Sequence, residues 1–276
     1  MPVKWEALLA DRAAAAPDAM AFGFLEGGRL SSQCSFGELL QRADAVAAWL
    51  QHSYGPGERV ALLFPPGLAF VEAFFACTRA GLIPVPLSPS LGKHSHASIQ
   101  PILINCAAKA VLGPKALWQR HLGAEAHGLA KGLDWSEVVE ASRHLSGERQ
   151  DATQGGIAFL QYTSGSTGDP KGVCVGHTNL IHNLQQIVHT CQTDDSSLIV
   201  SWLPHFHDMG LIGVILHALY LGRPALLMAP AEFTRRPLLW LQAISSYKAT
   251  MTVAPNSALN LCERSAAAAG DISGLD

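Results

Sequence analysis

Arg59-Val60-Ala61-Leu62-Leu63-Phe64, the run from Leu68 to Arg79, and Ile83-Pro84-Val85-Pro86-Leu87 are consecutive apolar blocks, parted only by Pro65-Pro66-Gly67 and Ala80-Gly81-Leu82. The short outer blocks read as strands and the longer middle one as a helix. Strands that are continuously apolar rather than alternating are buried on both faces, which predicts a parallel sheet covered by helices. Upstream, Met20 to Leu25 and Arg29 to Cys34 flank Gly27-Gly28 as a hairpin. Ser35 then caps a helix that carries Leu39, Leu40, Ala43, Val46, Ala47 and Leu50 on one face, with Glu38 completing a capping box. Downstream, Ile99 to Cys106 reads as helix and Ala110 to Leu112 as strand. The polar, glycine-bearing stretch from Gly123 to Gly156 reads as a linker.

A second series follows. Ile157 to Tyr162, Val173 to Val175, Leu198 to Trp202, Ala225 to Met228 and Thr250 to Val253 read as strands. Leu180 to His189, Leu211 to Tyr220 and Leu238 to Ser245 read as helices, and Asn256 caps a last one. The expected fold class is α/β, with two flavodoxin-like units and largely parallel sheets, residues 1–150 forming the first and 151–276 the second. Ligands of such sheets bind at the carboxyl ends of strands, which directs attention to the loops after Tyr162, Trp202 and Val253.

Composition narrows the function classes. Of 276 residues, 49% are apolar and 15% charged, and 19 Lys+Arg against 22 Asp+Glu leave a formal net charge of −3. That balance argues against disorder and, with no clustered basic stripe, against a nucleic-acid partner. Val60 to Ala80 and Leu211 to Pro230 are the most apolar segments, yet Pro65-Pro66, Glu72 and Arg79 interrupt the first, and His217 and Arg223-Pro224 the second. Neither is a membrane span. Lys4, Glu6, Asp11 and Arg12 stand where a signal peptide would need an apolar stretch, so a cytoplasmic location is expected. Cys34, Cys77, Cys106, Cys174, Cys191 and Cys262 are scattered and read as small buried hydrophobes.

The loop after the first strand of the second series is Tyr162-Thr163-Ser164-Gly165-Ser166-Thr167-Gly168-Asp169-Pro170-Lys171-Gly172. Its glycines allow close backbone approach to a ligand, its hydroxyls and N–H groups can donate to phosphate oxygens, and Lys171 places a positive charge beside them. It is not a Walker A loop, because Pro170 precedes the lysine and Gly172 follows it. Nor does it hold the Gly-x-Ser-x-Gly of a hydrolase elbow. His205-x-His207 with Asp208 lacks a third ligand at a metal-site spacing, so no metal site is assigned. His94 and His96 lie in a polar loop and read as solvated.

This loop resembles the phosphate-binding signature of the adenylate-forming ligase superfamily, and His177 in His177-Thr178-Asn179-Leu180 resembles the His-x-Asn-Leu that follows it there. Ser201-Trp202-Leu203-Pro204-His205-Phe206-His207-Asp208-Met209-Gly210-Leu211-Ile212-Gly213 resembles the signature of one branch, the fatty acyl-AMP ligases. His205 departs from the apolar or small residue usual there. Ala254-Pro255-Asn256-Ser257-Ala258-Leu259-Asn260-Leu261-Cys262 is a weaker match, with Ser257 and Asn260 replacing the usual aromatics. Ala80-Gly81-Leu82-Ile83-Pro84-Val85-Pro86 is similar to a further family segment.

The resemblance implies activation of a fatty acid with ATP and Mg²⁺ to acyl-AMP and pyrophosphate, then transfer to the phosphopantetheine of an acyl carrier protein or a polyketide or peptide synthase module. It implies that Thr163, Ser164, Gly165, Ser166, Thr167, Gly168 and Lys171 bind phosphate. His207, Asp208, Met209, Gly210, Pro255 and Asn256 would line the acyl-adenylate pocket, with Lys171 and His207 as the catalytic pair. The family's adenine, ribose and magnesium segments, its hinge and its C-terminal lid domain with the adenylation lysine have no counterpart in these residues. The expectation is therefore an incomplete large N-terminal domain, inactive alone, whose magnesium ligand lies elsewhere. An acyl-CoA ligase and a non-catalytic nucleotide-binding or docking module remain alternatives.

Overall fold

A computed structural model of the chain describes residues 5–89, 96–122, 128–145, 149–150, 156–163 and 170–269. The strands among the described residues are β1 (Met20–Glu26), β2 (Arg29–Ser35), β3 (Arg59–Leu63), β4 (Ile83–Leu87), β5 (Ala110–Gly113), β6 (Lys131–Asp134), β7 (Ile157–Thr163), β8 (Lys171–Gly176), β9 (Ile199–Ser201) and β10 (Ala225–Met228). They make a four-stranded sheet β4-β3-β5-β6, a second of order β2-β1-β10-β9, and the pair β7-β8. The architecture is α/β, as its apolar blocks predict.

The first sheet is wholly parallel. Val60, Ala61, Leu62 and Leu63 have no exposed surface, since helices cover both faces of β3. Pro84 and Pro86 are tolerated because β4 lies at the end of the sheet: alternate residues point their N–H the same way, so both missing donors fall on one side. On one face Leu63, Val85, Leu87, Leu103, Val111, Trp118 and Leu160 pack together. On the other an aromatic chain runs from Trp135 to Phe64, Phe70, Phe74 and Phe159.

The stretch taken as a linker is largely structured. β6 pairs with β5, and a helix spans Trp135–Arg143. Its polar composition follows from the edge position of β6, where Leu133 alone is fully buried. Asp134 caps that helix, accepting from the N–H groups of Ser136 (3.0 Å) and Glu137 (3.2 Å), and also accepts from that of Lys115 at 2.6 Å.

In the second sheet β1 runs parallel to β10 and β10 to β9, while β2 returns antiparallel along β1. The hairpin turn requires positive φ at both of its residues, and Gly27 (57°) and Gly28 (78°) supply it. Ser35 and Glu38 form the expected capping box, with reciprocal bonds of 3.2 and 3.0 Å at the start of helix Phe36–Gln51. Leu25, Val200, Leu226, Met228, Phe233, Leu239 and Trp240 make the core of this part.

The compact units do not follow a division at residue 150. One comprises 1–7, 39–65 and 69–181, the other 8–38, 66–68 and 182–276. The physical reason is pairing: Phe22 to Leu25 lock in register with Ala225 to Met228, drawing the N-terminal hairpin to the later sheet. Val253 lies outside any strand, and Thr250 to Val253 contribute a single bridge, Met251 to Ile199. Cys174 and Cys191 are exposed, unlike the other four cysteines. Among the described residues no helix is long and apolar enough to cross a membrane.

Candidate functional site

The Gly-, Ser- and Thr-rich motif joins the strands of an antiparallel pair, not a strand and helix of a parallel sheet. β7 and β8 run in opposite directions because too few residues separate them for a crossover. Thr163, the last residue of β7, sits opposite Lys171, the first of β8. Ser164, Gly165, Ser166, Thr167 and Gly168 lie outside the described residues, as does His94. The side chain of Lys171 is exposed, and β8 is open to solvent from Lys171 to Cys174. Gly176 follows, its N–H donating to Asn179 Oδ1 at 3.2 Å at the start of helix His177–Cys191.

In the other unit, β9 delivers the second motif. Trp202 stacks flat on Phe233, with ring centroids 3.9 Å apart and planes at 6°. Ser201 Oγ accepts from the N–H of Leu203 (3.1 Å), and the carbonyl of Pro204 from that of His207 (3.1 Å). The backbone then closes on itself: a Cβ on Gly210 would lie 2.1 Å from the Pro204 carbonyl oxygen and 3.1 Å from that of Leu203. His205 is buried beneath this turn, edge-on to Phe206 at 5.4 Å. His207 and Asp208 project into solvent.

His207 Nδ1 lies 2.6 Å from Asp208 Oδ1 and 3.3 Å from the N–H of Met209. One ring nitrogen cannot both donate and accept. The Met209 N–H already has Asp208 Oδ1 at 2.7 Å, so the shorter contact decides, and Nδ1 carries the proton toward Asp208. In the neutral ring, Nε2 is then the free acceptor. Pro255 and Asn256 are exposed at the head of helix Asn256–Ala269; Asn256 is its first residue rather than the residue ahead of it. The site residues thus gather as Thr163 with Lys171 in one unit, and as His207 with Asp208, Met209 and Gly210 in the other.

The expected helix Leu211 to Tyr220 begins earlier, at Asp208, and its middle is a π-helix over Leu211–Leu216. Such wide turns inside α-helices are frequent at functional positions. His217, fully buried at its end, has Nε2 3.0 Å from Thr193 Oγ1. A histidine inside an otherwise apolar run was the sequence signal for it.

Burial holds the His217 imidazole below its ordinary value of 6.5. Below that pH the unfolded chain takes up a proton that the folded one resists, so this group reduces stability as pH falls and has no effect above it. Urea unfolding from about pH 7.5 to about pH 5.5 should therefore lose stability more steeply for wild type than for His217→Gln. Equal slopes would remove His217 as the cause.

The profile of the AMP-binding enzyme family matches residues 9–276. A medium-chain-fatty-acid–[acyl-carrier-protein] ligase of Moorena producens is 34% identical, the alignment covering 88% of this chain and 43% of that protein. A long-chain-fatty-acid–AMP ligase of Mycobacterium tuberculosis is 35% identical, over 98% of this chain and 48% of that protein. The crystal structure of a Legionella pneumophila fatty acyl-adenylate ligase with acyl adenylate and pyrophosphate superposes with a TM-score of 0.87 at 35% identity, covering 99% of this chain and 48% of that one. The chain thus spans about half the length of the curated relatives it matches. With a mixed α/β fold of parallel sheets and a Gly-, Ser- and Thr-rich sequence ending in Pro170-Lys171-Gly172, the chain belongs to the AMP-binding enzyme family.

Proposed function

We propose that the complete protein activates a medium- or long-chain fatty acid with ATP and Mg²⁺ to acyl-AMP, releasing pyrophosphate, and passes the acyl group to a carrier-protein phosphopantetheine in the cytoplasm. The observation that carries this reading is the junction of β7 and β8, where Thr163 and Lys171 are paired at the two ends of the Gly/Ser/Thr loop. Register partners carrying a hydroxyl and an ammonium suit a polyphosphate, to which an exposed lysine supplies charge without a desolvation cost.

The fatty acid's carboxylate attacks the α-phosphate, one carboxylate oxygen forming the new P–O bond as the bond to pyrophosphate breaks. No protein nucleophile is needed, so the protein's part is positioning and charge stabilisation. Lys171 would offset charge building on the departing phosphates. His207, its Nδ1–H turned to Asp208, would meet the adenylate through Nε2 once protonated there, while the tight Gly210 turn fixes its backbone. Met209, Pro255 and Asn256 would flank the acyl end. Among the described residues no three His, Cys, Asp or Glu side chains converge as metal ligands.

ATP–pyrophosphate exchange by the complete protein tests the reading. Exchange should depend on an added fatty acid and the acyl group should appear on a phosphopantetheinylated carrier. Exchange driven by amino acids, or no exchange across a series of chain lengths, would overturn it. Thioester formed on free CoA instead would identify an acyl-CoA ligase.

A further inference from the structure

The hydroxyl of Tyr162 donates to Oδ1 of Asn105, 2.5 Å away. Asn105 is the last residue of helix His96–Asn105, and the chain just beyond it is firmly held. Arg59 Nε on β3 donates to the Cys106 carbonyl at 2.7 Å, and the N–H of Ala108 returns to the Leu103 carbonyl at 3.0 Å. Tyr162 itself pairs with Gly172 across the β7-β8 ladder, one step from Thr163 and Lys171. Its ring covers Gly172 so closely that a Cβ there would lie 2.7 Å from Cζ and 2.9 Å from the hydroxyl oxygen.

Phe159 and Leu160 anchor β7 in the core, whereas β8 is exposed over its first four residues and is held through its pairing with β7. A lysine at the start of such a strand is located only as well as the ribbon beneath it. The tyrosine ring lies on that ribbon and its hydroxyl is tied to a fixed helix end. Burial, then the neighbouring Cys106, push the Tyr162 phenol up to about 12, so it stays protonated and able to donate at neutral pH.

We propose that Asn105 is a positioning residue for phosphate binding: through Tyr162 it holds Gly172, and so fixes where Lys171 leaves β8. Asn105 lies outside every motif that marks the site. The inference rests on the function proposed above and names a further residue of that same site.

The test uses the complete protein as wild type, Asn105→Leu, Tyr162→Phe, the double variant, and Asn105→Asp, which keeps an acceptor. In the exchange assay each of Asn105→Leu and Tyr162→Phe should raise the KM for pyrophosphate about fivefold, the worth of one ordinary hydrogen bond. The KM for fatty acid should stay put, Asn105→Asp should return to near wild type, and the double variant should be no worse than either single one. Single variants matching wild type, effects that multiply in the double variant, or an equal rise in the fatty-acid KM would each overturn the proposal. Amide hydrogen exchange is measured on the same proteins. Peptides covering β8 should exchange faster in Asn105→Leu than in wild type or Asn105→Asp, while β3 and β5 keep their protection. Wild type inactive in the exchange assay would sink the proposed function, and β8 protection would then decide the role of Asn105. Unchanged protection in Asn105→Leu sinks the inference, whatever the activity.

Discussion

Lys171→Ala lowers fatty-acid-dependent ATP–pyrophosphate exchange by about 100-fold, comparable to removing one preorganised donor from a site of developing charge. The side chain is exposed at the first position of β8, so its removal leaves no cavity and no buried partner unsatisfied. The melting temperature should therefore stay within about a degree of wild type, because surface changes of this sort are usually worth under about 0.5 kcal/mol. That separation makes the variant informative. A fall in activity at constant stability places the ammonium in the chemistry. An unchanged rate removes Lys171 from the mechanism and leaves the loop a purely backbone-lined cradle.

Gly210→Ala is expected to be as damaging for a different reason. Gly210 has φ −76° and ψ −39°, a conformation any residue adopts, so the obstacle is space alone. The added methyl meets two backbone carbonyls, of Pro204 and Leu203, and neither can rotate away as a side chain would. The turn from Leu203 to Gly210 must open, moving His207 and Asp208 with it. Overpacking of this kind costs about 1–3 kcal/mol, and a displacement of about 1 Å at a reacting centre can cost about 100-fold in rate. Thermal melts together with exchange kinetics check both. Wild-type kinetics from a folded Gly210→Ala protein would show that the turn does not set the geometry of the site.

The elements legible in the sequence were those whose local signals and burial agree. Leu68–Arg79 and Ile83–Leu87 have the bounds expected from their apolar blocks, and the Ser35–Glu38 box and Gly27-Gly28 turn follow from side-chain chemistry within a few residues. What was not legible depends on partners far along the chain. The parallel pairing of β1 with β10 joins residues about 200 apart, and nothing in either strand announces the other. β6 hid because an edge strand with one buried residue looks like a loop. At the candidate site the motifs located Lys171 and His207. They could not show that β7 and β8 are antiparallel, that the second motif runs into a π-helix, or that Asn105 reaches Tyr162 from a helix 57 residues earlier.

The order β4-β3-β5-β6 places a topological switch between β3 and β5, where the chain crosses to opposite sides of the sheet. In doubly wound sheets the loops leaving such strands run to opposite faces, and the crevice between them, outside the carboxyl ends, receives the ligand. At the ends of these two strands a Cβ on Gly113 would stand 2.0 Å from the Leu63 carbonyl oxygen, so only a hydrogen fits between them. On the function proposed above, the polyphosphate would be met instead at the junction of β7 and β8, and the parallel sheet would serve as its foundation. A search for nucleotide sites guided by strand order alone would, on that reading, pass over the strand that carries Lys171.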